Sequence, residues 1–210
     1  MNPPLPGLQV QGLSFSYPHG TVLDTFDATL RPGLTLVRGS DGCGKTTLLR
    51  LLAGELAPQG GRLMLAGLDG RTAPEAYRDH VFWADPRSDA LHDLTARAWY
   101  ARLMRHHGAW DAASLDAHVA GFLLQAHLDK PLHALSTGSR RKVFLAGALA
   151  SGALLTLIDE PVAGLDKPSV AYLVQVLGRM ATEQRRMVVV AHHEALPGVP
   201  WGQVVDLPDR

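Results

Sequence analysis

A glycine-rich segment in the first quarter of the chain has the residue types and spacing needed to bind phosphate. It matches the pattern G-x-x-x-x-G-K-[ST], in which glycines turn backbone N–H groups towards phosphate oxygens, the lysine reaches the β- and γ-phosphates, and the hydroxyl binds Mg²⁺. An apolar run precedes the motif and a helical pattern follows it. This context favours a phosphate-binding loop over a glycine turn with an incidental lysine. The predicted nucleotide-binding residues are Gly39, Ser40, Asp41, Gly42, Cys43, Gly44, Lys45, Thr46 and Thr47.

Two acidic residues, Asp159 and Glu160, directly follow an apolar run at 154–158. In an open α/β sheet, ligands bind at the carboxyl ends of the parallel strands. One carboxylate is expected to hold Mg²⁺ through water, while its neighbour, facing the opposite way on an extended chain, polarises an attacking water. A solvated strand end is the alternative, and the phosphate-binding motif in the same chain favours the metal site.

The apolar pattern predicts the elements that position these motifs. Helices alternate with buried strands, which predicts an α/β fold with a mainly parallel core sheet beside small antiparallel strands. A mostly helical segment at 95–133 is the predicted insertion. The predicted strands span 8–17, 21–30, 34–38, 62–66, 81–84, 154–158 and 187–191, and the predicted helices run from residue 45 through Leu56, over 140–151 and over 169–182.

A third motif, running from Leu135 to Ser139, precedes Asp159 by about twenty residues. It resembles the signature motif of the ATP-binding cassette (ABC) ATPases, and the resemblance extends over essentially the whole chain. It implies a single domain, residues 1–210, with the fold of an ABC-type cassette among the P-loop NTPases. That fold comprises a mainly parallel core sheet, a small antiparallel β subdomain and a helical subdomain inserted at about 86–139. In length and layout the chain looks like the small cassettes of haem-exporter-type systems.

The resemblance implies a role for each matching residue. Asp159 would hold the metal with Thr46, and Glu160 would be the general base. Of two adjacent histidines, His192 matches the switch residue on the γ-phosphate, and His193 is its rival for that position. Tyr17 matches the aromatic residue that stacks on adenine, although it could be an ordinary strand aromatic.

Pairing of two cassettes is a further implication. In this family two cassettes associate head to tail, and each ATP lies between one subunit's phosphate loop and the other's signature motif. The residues implied at that interface are Ser136, Thr137, Gly138 and Ser139 of the signature and Asp166 of the D-loop at 163–166.

The chain departs from the family pattern at two places. Asp85 stands where the family usually has a glutamine that touches the metal, and we expect its carboxylate still to reach Mg²⁺ because oxygen ligands suit that ion. Ser139 replaces a usual glutamine and Thr137 a usual glycine in the signature. These changes would slow hydrolysis or suit a different partner cassette.

Composition limits the remaining possibilities. The 210 residues are 46% hydrophobic and 19% charged, with 20 basic and 20 acidic residues, which indicates a globular domain without the basic face expected for nucleic acid. The single cysteine, Cys43, cannot form an internal disulfide, and we read it as a small filler with a redox-sensitive role as the alternative. The longest uncharged run, 143–158, is shorter than the roughly 20 residues needed to span a bilayer. A cytoplasmic setting is therefore expected, and the resemblance implies that a permease holds the protein at the inner face of the membrane.

The predicted function is that of an ATP-binding and ATP-hydrolysing subunit that powers a transporter through ATP-driven dimerisation, as a homodimer or heterodimer. The expected partners are a second cassette and a transmembrane permease. Four aromatic residues, Trp83, Trp99, Tyr100 and Trp110, suggest an apolar groove for a permease helix, with core packing as the alternative. The rival functions are a regulatory cassette that binds ATP but hydrolyses it poorly, a soluble ABC ATPase not linked to transport, and a P-loop kinase or GTPase.

Overall fold

The computed structural model describes residues 7–85, 87–183 and 185–209, so residue 86, where the predicted helical insertion begins, lies outside the described part. Strands and helices alternate along most of the chain. The strands are β1 (Leu8–Tyr17), β2 (Gly20–Leu30), β3 (Gly33–Arg38), β4 (Gly60–Leu65), β5 (Leu68–Asp69), β6 (Val81–Phe82), β7 (Leu155–Asp159), β8 (Met187–His192) and β9 (Gln203–Asp206). The helices are α1 (Lys45–Leu52), α2 (Pro74–Arg78), α3 (Ala96–His106), α4 (Ala112–Gly121), α5 (Thr137–Ala150) and α6 (Lys167–Glu183).

A five-stranded sheet with the order β6-β7-β8-β3-β9 forms the core of the described residues. All of its paired neighbours are parallel. Every residue of β7 and β8 is buried, as expected for strands with helices on both faces. The α/β class with a mainly parallel core sheet is therefore confirmed, and the edge strand β9, which the sequence did not predict, extends that sheet.

A second sheet, with the order β2-β1-β4-β5, is antiparallel and corresponds to the predicted small β subdomain. Its buried leucines, among them Leu8, Leu13 and Leu65, pack in one cluster with the apolar side of α1. This packing fixes the antiparallel sheet against the helix that follows the phosphate loop.

The helix α1 is shorter than the predicted one, which extended through Leu56. It ends at Leu52, because Gly54 adopts φ 68° and the N–H groups of Glu55 and Leu56 both turn back to the carbonyl of Arg50. The apolar pattern continues past the helix because Leu56 packs against the same core cluster from a loop.

The signature helix α5 begins earlier than the predicted start at residue 140. Ser136 is its N-cap, with the Ser136 hydroxyl accepting the backbone N–H of Ser139 at 3.1 Å. The predicted insertion contains α3 and α4, with two short 3₁₀ turns at Gln125–His127 and Leu132–Ala134 before the signature.

Two of the four aromatic residues proposed for a permease groove are in the interior and the other two are half-buried, so the hypothesis is wrong for the first two. Trp99 and Tyr100 are 4% and 5% exposed, and Trp99 packs edge to face on Phe144 with ring centroids 5.1 Å apart. Trp110 lies beside Tyr100, with ring centroids 6.4 Å apart. Trp83 sits apart from this cluster, and its indole N–H donates to a glutamate after α1. Core packing, the alternative interpretation, accounts for their pattern.

None of the helices that the structure describes combines the length and apolar character needed to cross a membrane.

Candidate functional site

The carboxyl edge of the core sheet brings together residues that lie far apart in the sequence. β7 and β8 are adjacent, with Asp159 opposite Ala191, and β8 pairs with β3, with Arg38 opposite His192. The phosphate loop follows β3 directly. Three predicted motifs therefore meet at one edge, which is where open α/β sheets bind ligands.

The phosphate loop closes around its own lysine. Lys45 is 5% exposed, and its ammonium donates to the carbonyls of Gly39 and Ser40 at 2.8 and 2.9 Å. Gly44 has φ 110°, a backbone conformation that residues other than glycine rarely adopt. A Cβ at Gly39 would lie 2.6 Å from the Cys43 sulfur, so the buried thiol fills the space behind the loop. The cysteine thus packs the loop, as a small filler would.

Thr46 and Asp159 form a direct pair at the start of α1. The Thr46 hydroxyl donates to Asp159 Oδ2 at 2.7 Å, and the Asp159 side chain is 1% exposed. Burial raises the pKa of Asp159, while the Thr46 hydrogen bond and the nearby Arg87 lower it. Asp159 Oδ1 is buried and has no hydrogen-bond partner in the described part of the chain. An unsatisfied carboxylate oxygen beside a hydroxyl fits the oxygen ligands that Mg²⁺ prefers.

Glu160 leaves the strand at once instead of continuing it. Its φ is +46°, so the prediction that it faces opposite to Asp159 on an extended chain is wrong. The left-handed backbone is held from two sides, because the Glu160 N–H donates to the carbonyl of Ala191 at 2.9 Å and the Arg141 guanidinium donates to the Glu160 carbonyl. Such a conformation persists only where surrounding contacts determine it.

The Glu160 side chain lies between a histidine and the loop lysine. His192 is 3% exposed, and its Nδ1 is 2.7 Å from Glu160 Oε2, while Glu160 Oε1 is 3.8 Å from Lys45 Nζ. His193, the rival for the switch position, is exposed and lines the cleft instead. A carboxylate oxygen of Glu160 and a ring nitrogen of each histidine lie within 4.8 Å of one another. A carboxylate oriented by histidine beside a phosphate loop has the arrangement of a general base for water.

The loop after β6 places an arginine, not Asp85, against the Thr46–Asp159 pair. Arg87 Nη2 is 3.2 Å from Asp159 Oδ2 and 3.4 Å from the Thr46 hydroxyl. Asp85 instead accepts the backbone N–H of Arg87 through its Oδ1 at 2.8 Å. Sequence reasoning missed both Arg87 and Arg141, since basic residues at these places belong to no motif and only the folded loop and helix direct them to the site.

The signature motif contacts the D-loop of its own chain. A Cβ at Gly138 would lie 2.3 Å from the carbonyl oxygen of Gly164, so the two backbones touch. Asp166 accepts Lys142 Nζ at 2.6 Å and the N–H of Ser169 at 2.9 Å, and these hydrogen bonds hold the pKa of Asp166 well below its usual value. Thr137 is the first residue of α5 and is exposed.

The cleft above the phosphate loop has a volume of about 540 Å³. Neither Tyr17 nor the signature residues belong to its described lining. Tyr17 ends β1 half-buried, with its ring stacked on that of His19 at 6.3 Å. The lining consists of Asp41, Gly42, Gly44, Lys45, Thr46, Thr47, Arg87, Glu160 and His193.

The parallel sheet, the phosphate loop at its carboxyl edge and the adjoining acidic residues define a P-loop NTPase. Comparisons with known proteins identify its class. The ABC transporter family model matches residues 23–163. The cytochrome c biogenesis ATP-binding export protein CcmA of Pseudomonas savastanoi pv. phaseolicola is 33% identical over 206 residues, which cover 96% of this chain and 95% of that protein. The protein of the same name from Alkalilimnicola ehrlichii is 37% identical over 179 residues, covering 83% and 75%.

A solved structure described as the ATP-binding subunit of an ABC transporter superposes with a TM-score of 0.77 at 22% identity, covering 89% of this chain and 79% of that one. This likeness shows the fold. Together with the family match, it confirms the resemblance drawn from the motifs: the chain belongs to the ABC transporter family and is an ABC ATPase cassette that binds ATP. Cassettes of this class work with a permease and typically pair.

Proposed function

We propose that this chain hydrolyses ATP at the carboxyl edge of its core sheet, with Glu160 as the general base. The observation that carries the proposal is the position of the Glu160 carboxylate, 2.7 Å from His192 Nδ1 and 3.8 Å from Lys45 Nζ. Hydrolysis of ATP depends mainly on positioning and on neutralising phosphate charge, so a water held by an oriented carboxylate beside the loop lysine meets the requirement. The buried His192 fixes the orientation of that carboxylate.

The residues that would hold Mg²⁺ are Thr46 and Asp159, whose hydroxyl and carboxylate oxygens suit the ion. When bound, Mg²⁺ supplies neutralisation of the charge on the β- and γ-phosphates. Lys45 brings a second positive charge from the loop itself. Backbone N–H groups at the start of α1 complete a cradle for phosphate, because the N-terminus of a helix carries a partial positive charge.

Pairing of two cassettes completes the site. Ser136 and Thr137 are exposed at the N-terminus of α5, where a helix presents backbone N–H groups and partial positive charge to an anion. None of the signature residues lines the described cleft of its own chain. We therefore propose that Ser136 and Gly138 contact the ATP bound by a partner cassette, and that ATP joins two cassettes head to tail.

A phosphate-release assay on the Glu160→Gln variant tests hydrolysis, and light scattering on the same variant with and without ATP tests pairing. We expect hydrolysis to fall by about 10²–10⁴-fold, since a general base contributes that much, and the variant to dimerise when ATP is added. The matched control is Glu194→Gln, because Glu194 is an exposed carboxylate 3.5 Å from His193. This control variant is expected to hydrolyse ATP normally. Unchanged hydrolysis in Glu160→Gln would refute the assignment of the base.

A regulatory cassette is the second candidate, and the two departures from the family favour it. The Asp85 carboxylate is engaged by the backbone of Arg87, and the Ser139 hydroxyl accepts a hydrogen bond from Ser136 at 3.0 Å. Two results together would favour this candidate: the wild-type chain binds ATP but hydrolyses it slowly, and the Glu160→Gln variant stays monomeric with ATP. A different partner cassette would then be needed to close the site. Those results would establish the heterodimeric, regulatory alternative.

We further propose that the cassette powers an export transporter of the kind named for its relatives in cytochrome c biogenesis. The support is similarity along nearly the full length of both chains, at 32–33% identity. The test is to express the chain in Pseudomonas syringae lacking its own relative and to measure covalently bound haem in c-type cytochromes. Restoration by the wild type, but not by Glu160→Gln, would support the proposal. Failure with the protein present would leave the export proposal without support, while the ATPase measurements would stand.

A further inference from the structure

Arg87 lies on the two groups that are proposed to hold Mg²⁺. Its Nη2 is 3.2 Å from Asp159 Oδ2 and 3.4 Å from the Thr46 hydroxyl, and it lines the cleft above the phosphate loop. The Asp159 side chain is 1% exposed, whereas that of Arg87 is 64% exposed. A solvent-exposed cation therefore lies against a buried anion that needs a positive partner.

The loop that carries Arg87 is built to hold it there. Asp85 Oδ1 accepts the Arg87 N–H at 2.8 Å, and the Asp85 carbonyl accepts the N–H of Ser88 at 3.1 Å, which closes a tight turn. The carbonyl of Ser88 in turn accepts the guanidinium of Arg140, from the first part of α5. The turn is thus fixed at both ends, and the guanidinium projects from it to Asp159.

Arg87 and Mg²⁺ cannot share this position. Mg²⁺ binds its ligand oxygens at about 2.0–2.1 Å, so an ion on Thr46 that reached Asp159 through one water would still lie within a few ångströms of a guanidinium bound to the same two side chains. Two cations at that separation repel each other, and a buried carboxylate retains the one that compensates its charge better. Either cation would compensate the buried negative charge of Asp159.

We infer that Arg87 and Mg²⁺ are alternative occupants of one cation position between Thr46 and Asp159. Loading of the metal with nucleotide then requires release of Arg87 from the carboxylate. The inference rests on the proposed metal site and goes beyond it, because it makes the affinity for Mg²⁺ depend on a loop residue outside every motif. Arg87 acts here as a built-in competitor that sets the Mg²⁺ dependence of nucleotide binding.

The test measures the dissociation constant of ADP by calorimetry, once with Mg²⁺ and once with EDTA, in the full chain. ADP is the probe because it is not hydrolysed and needs no change at Glu160. The measured quantity is the ratio of the constant in EDTA to the constant in Mg²⁺, since changes in the fold or the phosphate loop that weaken both complexes equally cancel in it. Arg87→Ala is expected to raise this ratio about three- to fivefold, the upper end of the effect of one partly exposed ion pair.

Two further variants make the test specific. Arg97→Ala is the matched control, because Arg97 is 63% exposed and pairs with a carboxylate, Asp129, at 2.7 Å on the helical segment. Its ratio is expected to equal that of the wild type. Arg87→Lys keeps the charge but has no planar guanidinium to bridge the two oxygens, so we expect an intermediate ratio.

A ratio in Arg87→Ala equal to that of the wild type overturns the inference, as does a lower ratio, which would make Arg87 a helper of metal binding. Either result leaves the proposed function standing if ADP binds more tightly with Mg²⁺. If Mg²⁺ makes no difference in the wild type, the proposed metal site fails, and the inference fails with it. Circular dichroism of each variant checks that the fold is intact.

Discussion

His118 on α4 is a buried histidine that makes the stability of this protein depend on pH. It is 6% exposed, and its ring nitrogens contact Ser114 Oγ at 3.0 Å and the Tyr172 hydroxyl at 2.9 Å. The Tyr172 hydroxyl donates its one hydrogen to the carbonyl of Ala117 at 3.1 Å. It therefore accepts from His118 Nδ1–H, and Nε2 accepts from Ser114. Both ring nitrogens are satisfied by a neutral imidazole.

The surroundings disfavour the charged form of His118. Burial is the largest cause, and the nearby Arg186 and Arg179 add to it, which lowers the pKa from 6.5 to about 4. Since the unfolded chain takes up the proton first on acidification, this histidine contributes stability above pH 6.5 that is lost as the pH falls towards 4. From these two values, the free energy of unfolding falls by about 2 kcal/mol between pH 7 and pH 5 through this group alone.

Urea titrations at pH 7 and pH 5 measure this loss directly. In His118→Asn, where the side-chain amide takes the place of Nδ1–H, the loss between the two pH values should be about 2 kcal/mol smaller than in the wild type. His133→Asn is the control, because His133 is exposed and its Nδ1 contacts a backbone carbonyl at 3.0 Å. An equal loss in His118→Asn and wild type would refute the reasoning.

Three further predictions concern packing and the proposed Mg²⁺ ligand Asp159. Tyr77→Phe should lower the free energy of unfolding in urea by about 1–2 kcal/mol, because the fully buried Tyr77 hydroxyl donates to the last carbonyl of α1 at 2.8 Å. Gly138→Ala should lower ATP hydrolysis by about 10²-fold, since its Cβ would displace Gly164, whereas Gly108→Ala, with open space around it, should not. Asp159→Asn should raise the free energy of unfolding in EDTA, because burial raises the pKa of Asp159 and its charge opposes folding. Melting curves of this variant should show no added stabilisation by Mg²⁺ with ADP over ADP alone.

Much of the fold could be predicted because its signals are local. The phosphate loop is an uninterrupted motif, and Asp159 ends a buried strand that is otherwise made of apolar residues and one threonine. Element ends were less predictable, since they depend on single backbone conformations such as φ 68° at Gly54. The edge strand β9 has only four residues with alternating exposure, too short a pattern to distinguish from a loop.

The parts of the site that sequence reasoning missed depend on contacts between distant segments. Arg141 reaches the Glu160 carbonyl only because α5 packs beside the end of β7, and the motif that precedes it gives no sign of this. For the aromatic residues near α3 the error was the opposite one, because a functional surface was predicted where the structure has core packing. Trp99 and Tyr100 have a pattern that suits a docking surface as well as a core, and only their burial in the folded chain, with Trp99 packed on Phe144, distinguishes the two.

The two departures from the family pattern lie on segments that are in physical contact. Asp85 closes the turn that ends at Ser88, and the carbonyl of Ser88 accepts the guanidinium of Arg140, the residue after Ser139 in the signature helix. A change in the turn therefore alters the support of the first turn of α5, and a change at Ser139 alters the backbone from which Arg140 projects. An ion that displaced Arg87 would act on the same turn. The proposed metal position and the signature are thus joined by the turn between Asp85 and Ser88 and by two arginines, Arg87 and Arg140. The effects of Asp85 and Ser139 are therefore expected to be coupled rather than additive.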